Sequence, residues 1–190
     1  MTRTEVINAH IKHNKYVSYL EIGVQEGDNY KAVECYNKTG VDPNPIYKDS
    51  TIIKKTSDEF FESHDKLSYY DIIFIDGLHE AKQVKKDIEN ALKVLSRDGV
   101  IICHDMLPLT KAHQEVPRIQ KQWNGDCWKA FVRLRAERSD IEMYTIDTDW
   151  GLGIIRQGSQ EVLDIKTDEL TWGFFERHTQ RLMNIQPLNL

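Results

Sequence analysis

Two short apolar runs on either side of one helical repeat constrain this chain more than anything else in it. Asp71-Ile-Ile-Phe-Ile75 and Val100-Ile-Ile-Cys103 are rich in β-branched residues and interrupted by nothing polar after Asp71. That is the pattern of strands covered on both faces. Between them Val84, Ile88, Ala91, Leu92 and Leu95 recur at helical spacing, and Asp98-Gly99 stops the helix. Strand, helix and strand in this order require a right-handed crossover and a parallel pair. The predicted class is therefore α/β, a Rossmann-like three-layer sandwich whose sheet is mostly parallel and ends in an antiparallel hairpin.

The flanking segments extend that unit. Thr2 and Glu5 are spaced as a capping box, and Val6, Ile7, His10 and Ile11 share one face of an opening helix. Tyr16 to Ile22 reads as a strand ending in glycine, followed by a polar helix from Asn29 to Tyr36. A second strand ends at Gly40-Val41-Asp42 and is broken by Pro43 and Pro45. Thr51 to Lys55 is a weaker third strand with an acidic helical stretch after it. Met106 to Asn124 has no strong period and carries Pro108 and Pro117, so it is expected to be a long loop with some helix, of the kind that forms lids. Trp128 to Ala136 is expected to be helical, and Glu142–Ile146 with Leu152–Ile155 forms the closing hairpin. A last amphipathic helix, about 168–184, carries Leu170, Phe174, Phe175, Leu182 and Met183. With 190 residues, no repeat and no long linker, one domain with its core at about 17–157 is expected.

Composition excludes several function classes. A net charge of -5 argues against a nucleic-acid binder, which needs a basic surface to neutralise phosphates. No apolar run approaches membrane-spanning length, and the start MTRTEVINAH lacks the character of a signal peptide. Cys35, Cys103 and Cys127 form no C-x-x-C pair, which fits reduced thiols and a cytoplasmic location. The aromatic segment around Trp172, Phe174 and Phe175 can pack on the sheet or serve as a contact between copies in a homo-oligomer.

Tyr19-Leu-Glu-Ile-Gly-Val-Gln-Glu-Gly27 is a strand, an acid and two glycines four apart. Gly23 permits a sharp turn at the strand end, and Gly27 permits close approach of a ligand or the next helix. The dinucleotide pattern G-x-G-x-x-G is absent, since Glu21 and Gln25 stand at its flanking positions. A carboxylate at Glu21 can hold an ammonium group, and Asp42 at the next strand end can accept from both hydroxyls of a ribose. On this reading Gly23→Val fills space beside the ligand and leaves the fold intact. A second constellation follows the two central strands: Asp76 and His79 after one, His104-Asp105 after the other. In a parallel sheet both emerge at the same carboxyl edge, beside the glycine loop. Each residue also has a local alternative, Asp76 as a turn residue and His79 or Asp105 as helix caps.

The loop from Tyr19 to Gly27, with Asp42, resembles motif I of the class I S-adenosylmethionine-dependent methyltransferases. The string Ile75-Asp-Gly-Leu-His79, the helix after it, His104-Asp105 and Pro108 resemble the methyltransferase domain type 24 family. Trp128-Lys129 and the turn Asp149-Trp-Gly-Leu-Gly153 share that likeness. The resemblance implies S-adenosylmethionine bound by Glu21, Gly23, Gly27, Asp42, Asp76 and, beside the adenine, Ser57, for which a helix cap is the equal alternative. A more distant likeness to catechol-type and macrolide-sugar O-methyltransferases implies a divalent metal held by Asp76, His104 and Asp105. It also implies His79 as general base, with Asp76 the second catalytic residue. His104 stands where an oxygen ligand is expected, and a mixed His/Asp set favours manganese, iron or zinc over magnesium. The implied acceptor is a hydroxylated small molecule or a glycan. A non-catalytic S-adenosylmethionine-binding module, a nicotinamide-dependent oxidoreductase and a His-Asp phosphohydrolase are the rival readings.

Overall fold

A computed structural model of the chain describes residues 1–65 and 68–190. Seven strands form one sheet: β1 (Ser18–Ile22), β2 (Asn37–Val41), β3 (Ile52–Ile53), β4 (Tyr70–Ile75), β5 (Leu95–Cys103), β6 (Ile141–Ile146) and β7 (Leu152–Gln157). They lie in the order β3-β2-β1-β4-β5-β7-β6. The first five are parallel, β7 runs antiparallel to β5, and β6–β7 is an antiparallel hairpin. This is the Rossmann-like arrangement expected from the sequence.

Alternation along the buried strands builds two cores. Leu20, Ile22, Ile73, Ile75, Ile101 and Cys103 face one side, with Val84, Ile88 and Ala91 of α4 (Ala81–Val94) and Trp128 and Phe131 of α6 (Cys127–Glu137). Tyr19, Ile72, Phe74, Val100 and Ile102 face the other, against Val6, Ile7 and Ile11 of α1 (Arg3–Asn14) and Tyr30 of α2 (Asp28–Ala32). Strands buried on both faces need apolar residues at every position, which is why these runs read as continuous rather than alternating. α7 (Trp172–Met183) closes the first layer: Phe175 packs on Trp128 with ring centroids 4.4 Å apart, and Arg135 donates to the carbonyls of Arg181 and Leu182 at its end.

Several boundaries differ from expectation, each for a local reason. The capping box of α1 is present, with Thr2 and Glu5 each bonding the other's backbone. α2 ends at Ala32 rather than Tyr36, because Val33 is already extended and Asn37 joins the sheet by donating to Val17. The helix after β4 ends at Val94, and the chain re-enters the sheet at Leu95 through an irregularity that absorbs Asp98-Gly99. Leu170 lies outside α7, whose first turn is capped by Thr171 accepting from the Phe174 amide. Among the described residues no helix is long and apolar enough to cross a membrane.

Register decides where the site lies. Ile22 pairs with Val41 and Ile75, and Ile75 pairs with Cys103, so four strands end level. Their next residues are Gly23, Asp42, Asp76 and His104. The strand order reverses between β1 and β4, and a crevice forms where helices leave such a point in opposite directions.

Candidate active site and cofactor crevice

The loop after β1 is shaped by three left-handed residues, Gly23 (φ 91°), Gln25 (φ 45°) and Gly27 (φ 72°). A Cβ on Gly23 would lie 2.1 Å from the carbonyl oxygen of Asp76, and one on Gly27 would lie 2.5 Å from the Tyr47 ring. Both glycines therefore allow chain to approach chain. The expectation that Gly23→Val fills ligand space and spares the fold is corrected: the new side chain collides with backbone. Asp42 holds the loop in place. Its Oδ2 accepts from the Val24 and Gln25 amides at 3.1 and 2.9 Å, and its Oδ1 from the Asn44 amide at 2.7 Å.

Glu21 is 2% exposed, and it accepts hydrogen bonds from the Tyr19 hydroxyl and, at 2.9 Å, from the Asn29 amide. Burial pushes its carboxyl up to about 7, against the opposing pull of those two bonds. Both donors are neutral, and among the described residues none forms an ion pair with this carboxyl, which borders the crevice. Ser57 is placed elsewhere. It begins α3 (Ser57–Ser63), where Thr56 is the cap, and its hydroxyl accepts from Gln83 at 3.1 Å.

Asp76, His79, His104 and Asp105 converge at the ends of β4 and β5. His79 sets Nε2 3.2 Å from Asp76 Oδ1 and Nδ1 3.2 Å from Asp105 Oδ2. His104 Nδ1 lies 3.4 and 3.1 Å from the same two oxygens. Potential ligand atoms of Asp76, His79 and Asp105 all lie within 4.8 Å of one another. His79 thus joins Asp76 and Asp105 in the compact set, and His104 flanks it with Nδ1 on the same two oxygens. The Nδ1 atoms of both histidines are buried without a hydrogen bond of good geometry. Lone pairs crowded this way and not aligned on each other are the donor arrangement a cation fits.

The charges depend on one another. Burial alone would raise Asp76 and lower both histidines, but their proximity outweighs it: Asp76 is held well below the usual carboxylate range, His79 is raised and His104 well raised. The long loop covers this cluster: the Trp123 ring stacks on His79 at 5.3 Å, and the Asn124 amide donates to Asp105 at 2.6 Å.

Two residues escaped the sequence reading as parts of the site. Arg3, in the first turn of α1, donates to Asp76 Oδ2 at 2.7 Å and grips both oxygens of Asp149 at 3.1 Å. Asp149 Oδ1 lies 3.3 Å from His104 Nε2. The turn at 149–153 was visible as a motif, but nothing local to Arg3 marks it, since its partners are 73 and 146 residues away. One cavity of about 580 Å³ joins the glycine loop, Glu21, Arg3 and the Asp/His cluster. That volume suits a ligand of nucleoside size.

A family model described as a methyltransferase domain matches residues 8–106. The chain belongs to that methyltransferase family. The matched segment contains Glu21, Gly23, Gly27, Asp42, Ser57, Asp76, His79, His104 and Asp105, and it leaves out Arg3 and Asp149. No curated protein matches the methyltransferase at a significant level. Among solved structures, the SAH-bound methyltransferase PaMTH1 of Podospora anserina superposes with a TM-score of 0.62 at 17% identity, covering 83% of this chain and 78% of its own. The O-methyltransferase TomG of Streptomyces achromogenes, in complex with SAM, gives 0.60 at 12% identity, with 83% and 80% covered. An O-methyltransferase of Bacillus cereus in complex with SAH gives 0.57 at 12%, with 83% and 82% covered. The fold is that of a class I S-adenosylmethionine-dependent methyltransferase.

Proposed function

We propose that this methyltransferase transfers the methyl group of S-adenosylmethionine to a hydroxyl of a small molecule or sugar, with a divalent metal assisting. The observation that carries this reading is the single crevice in which the motif I loop and the Asp/His cluster share one space. Two of the O-methyltransferases of the same fold were crystallised with SAM or SAH, which supports the cofactor assignment. Bound S-adenosylmethionine supplies an electrophilic methyl group on sulfur, and a bound divalent cation lowers the cost of forming an alkoxide on the acceptor.

The chain's own residues do the rest. Glu21, short of a cation, is the partner for the cofactor's ammonium, and that pairing would return its carboxyl to the ionised form. Asp76 and Asp105, with His79 and His104 beside them, would hold the cation, and a mixed set of this kind prefers manganese, iron or zinc. Trp123 and Asn124 of the covering loop restrict water and orient an acceptor next to the cluster, where positioning accounts for much of the rate. The test is transfer of labelled methyl from S-adenosylmethionine to a panel of hydroxylated acceptors, with and without chelator. Transfer that chelation abolishes and added Mn²⁺ restores supports the whole reading. Full activity after exhaustive chelation removes the metal and keeps the transfer.

A further inference from the structure

We propose that Asp149, on the turn between β6 and β7, is a positioning residue for the metal centre. It turns the Nε2 proton of His104 away from the cluster, so that Nδ1 is the nitrogen offered to a cation at Asp76 and Asp105. The inference rests on the metal-assisted reading above and assigns a role to a residue outside the matched family segment.

The His104 side chain is 4% exposed and sits between three carboxylates. Two are in front, Asp76 and Asp105, within 3.4 Å of Nδ1, and one is behind, Asp149, at 3.3 Å from Nε2. By itself the imidazole has acceptors on both sides, two carboxylates before Nδ1 and one beyond Nε2. A cation held between Nδ1 and the two front carboxylates would take the Nδ1 lone pair and leave the single N–H on Nε2, where Asp149 accepts it; a carboxylate on the far nitrogen is how metal-binding histidines are commonly oriented.

Asp149 is itself fixed from three directions. The Arg3 guanidinium grips both its oxygens at 3.1 Å, and the Arg3 backbone amide adds a bond of 2.6 Å. Asp149, Trp150 and Gly151 are consecutive left-handed residues (φ 45°, 65° and 87°), which bend the turn back over the strand ends. Trp150 and Gly151 then accept from the Leu107 and Met106 amides at 2.8 and 3.1 Å, so the turn is pinned to the segment that leaves His104-Asp105. A non-glycine pair in this conformation is strained and persists where its surroundings hold it. The same Arg3 occupies Asp76 Oδ2 and leaves Oδ1 toward the histidines.

The test titrates Mn²⁺ into the full chain with S-adenosylhomocysteine present, following free Mn²⁺ by electron paramagnetic resonance. Asp149→Ala is expected to weaken Mn²⁺ affinity about 10–100-fold and, through the loss of the Arg3 pair, to lower the thermal midpoint, with S-adenosylhomocysteine affinity unchanged. Asp149→Asn, whose carbonyl can still accept from Nε2, is expected to keep most of the affinity. Wild-type affinity in Asp149→Ala, or equal losses in both variants, overturns the positioning role. Should Asp149→Ala not fold, nitrogen NMR of the Zn²⁺-loaded wild type reads the tautomer directly, and a His104 protonated on Nδ1 refutes the proposal. A wild type that binds S-adenosylhomocysteine but no Mn²⁺ removes the metal reading and this inference together, leaving the cofactor assignment standing.

Discussion

Replacing Glu21 by glutamine should make the ligand-free protein more stable while weakening its hold on the cofactor. Glu21 titrates at about 7 in the fold, against an ordinary value of 4.5, because burial disfavours its charge more than Tyr19 and Asn29 favour it. Below 4.5 the carboxyl is protonated in both folded and unfolded chains. Between 4.5 and 7 the folded chain keeps a proton that the unfolded chain has released, so stability falls as pH rises through that window. A gap of roughly two and a half pH units, at 1.36 kcal/mol each, amounts to about 3 kcal/mol lost above pH 7. Glutamine has the same shape, its carbonyl can accept from Tyr19 and Asn29, and it never ionises. Glu21→Gln should therefore gain about 3 kcal/mol over the wild type above pH 7, with the gain vanishing toward pH 4.5. Urea unfolding of both proteins across this range measures it. Saturating S-adenosylhomocysteine should narrow the difference, because it stabilises the form that binds it. A variant no more stable than wild type above pH 7, or a gain that does not shrink with falling pH, refutes the reasoning.

Other changes separate the remaining roles. Gly23→Ala places a Cβ 2.1 Å from the Asp76 carbonyl at a φ of 91°, so it should cost more than about 2 kcal/mol of stability in urea unfolding; wild-type stability would show that the strand ends can part freely. Asp76→Asn and Asp105→Asn should each weaken Mn²⁺ binding and remove the activity that chelators remove. His79→Ala should lower Mn²⁺ affinity in step with them, since its ring nitrogens face the same two oxygens. A loss of turnover of about 10²–10⁴-fold with affinity intact would instead mark His79 as the general base.

The sheet was legible in the chain because buried parallel strands leave a strong mark: Ile72–Ile75 and Val100–Cys103 are apolar at every position, and α4 repeats at helical spacing between them. Glu21, Asp42, Asp76, His79, His104 and Asp105 could be picked out because each follows or ends a strand, and parallel strands deliver their ends to one edge. The pairing of these residues was beyond the sequence. That both imidazoles reach Asp76 and Asp105, and that Trp123 and Asn124 of the loop at 106–124 cover them, is decided by packing without any period to read. Gly23 and Gly27 announced a tight turn, but only the fold shows that it is the Asp76 carbonyl and the Tyr47 ring that need the room. Arg3 and Asp149 belong to the site through contacts spanning most of the chain, and long side chains that reach across a fold leave no local pattern. Local sequence determines strands, helices and the caps between them, because those rest on neighbours within a few residues. The partner of each charge is a tertiary matter, settled by register and by the burial that makes an unpaired charge costly.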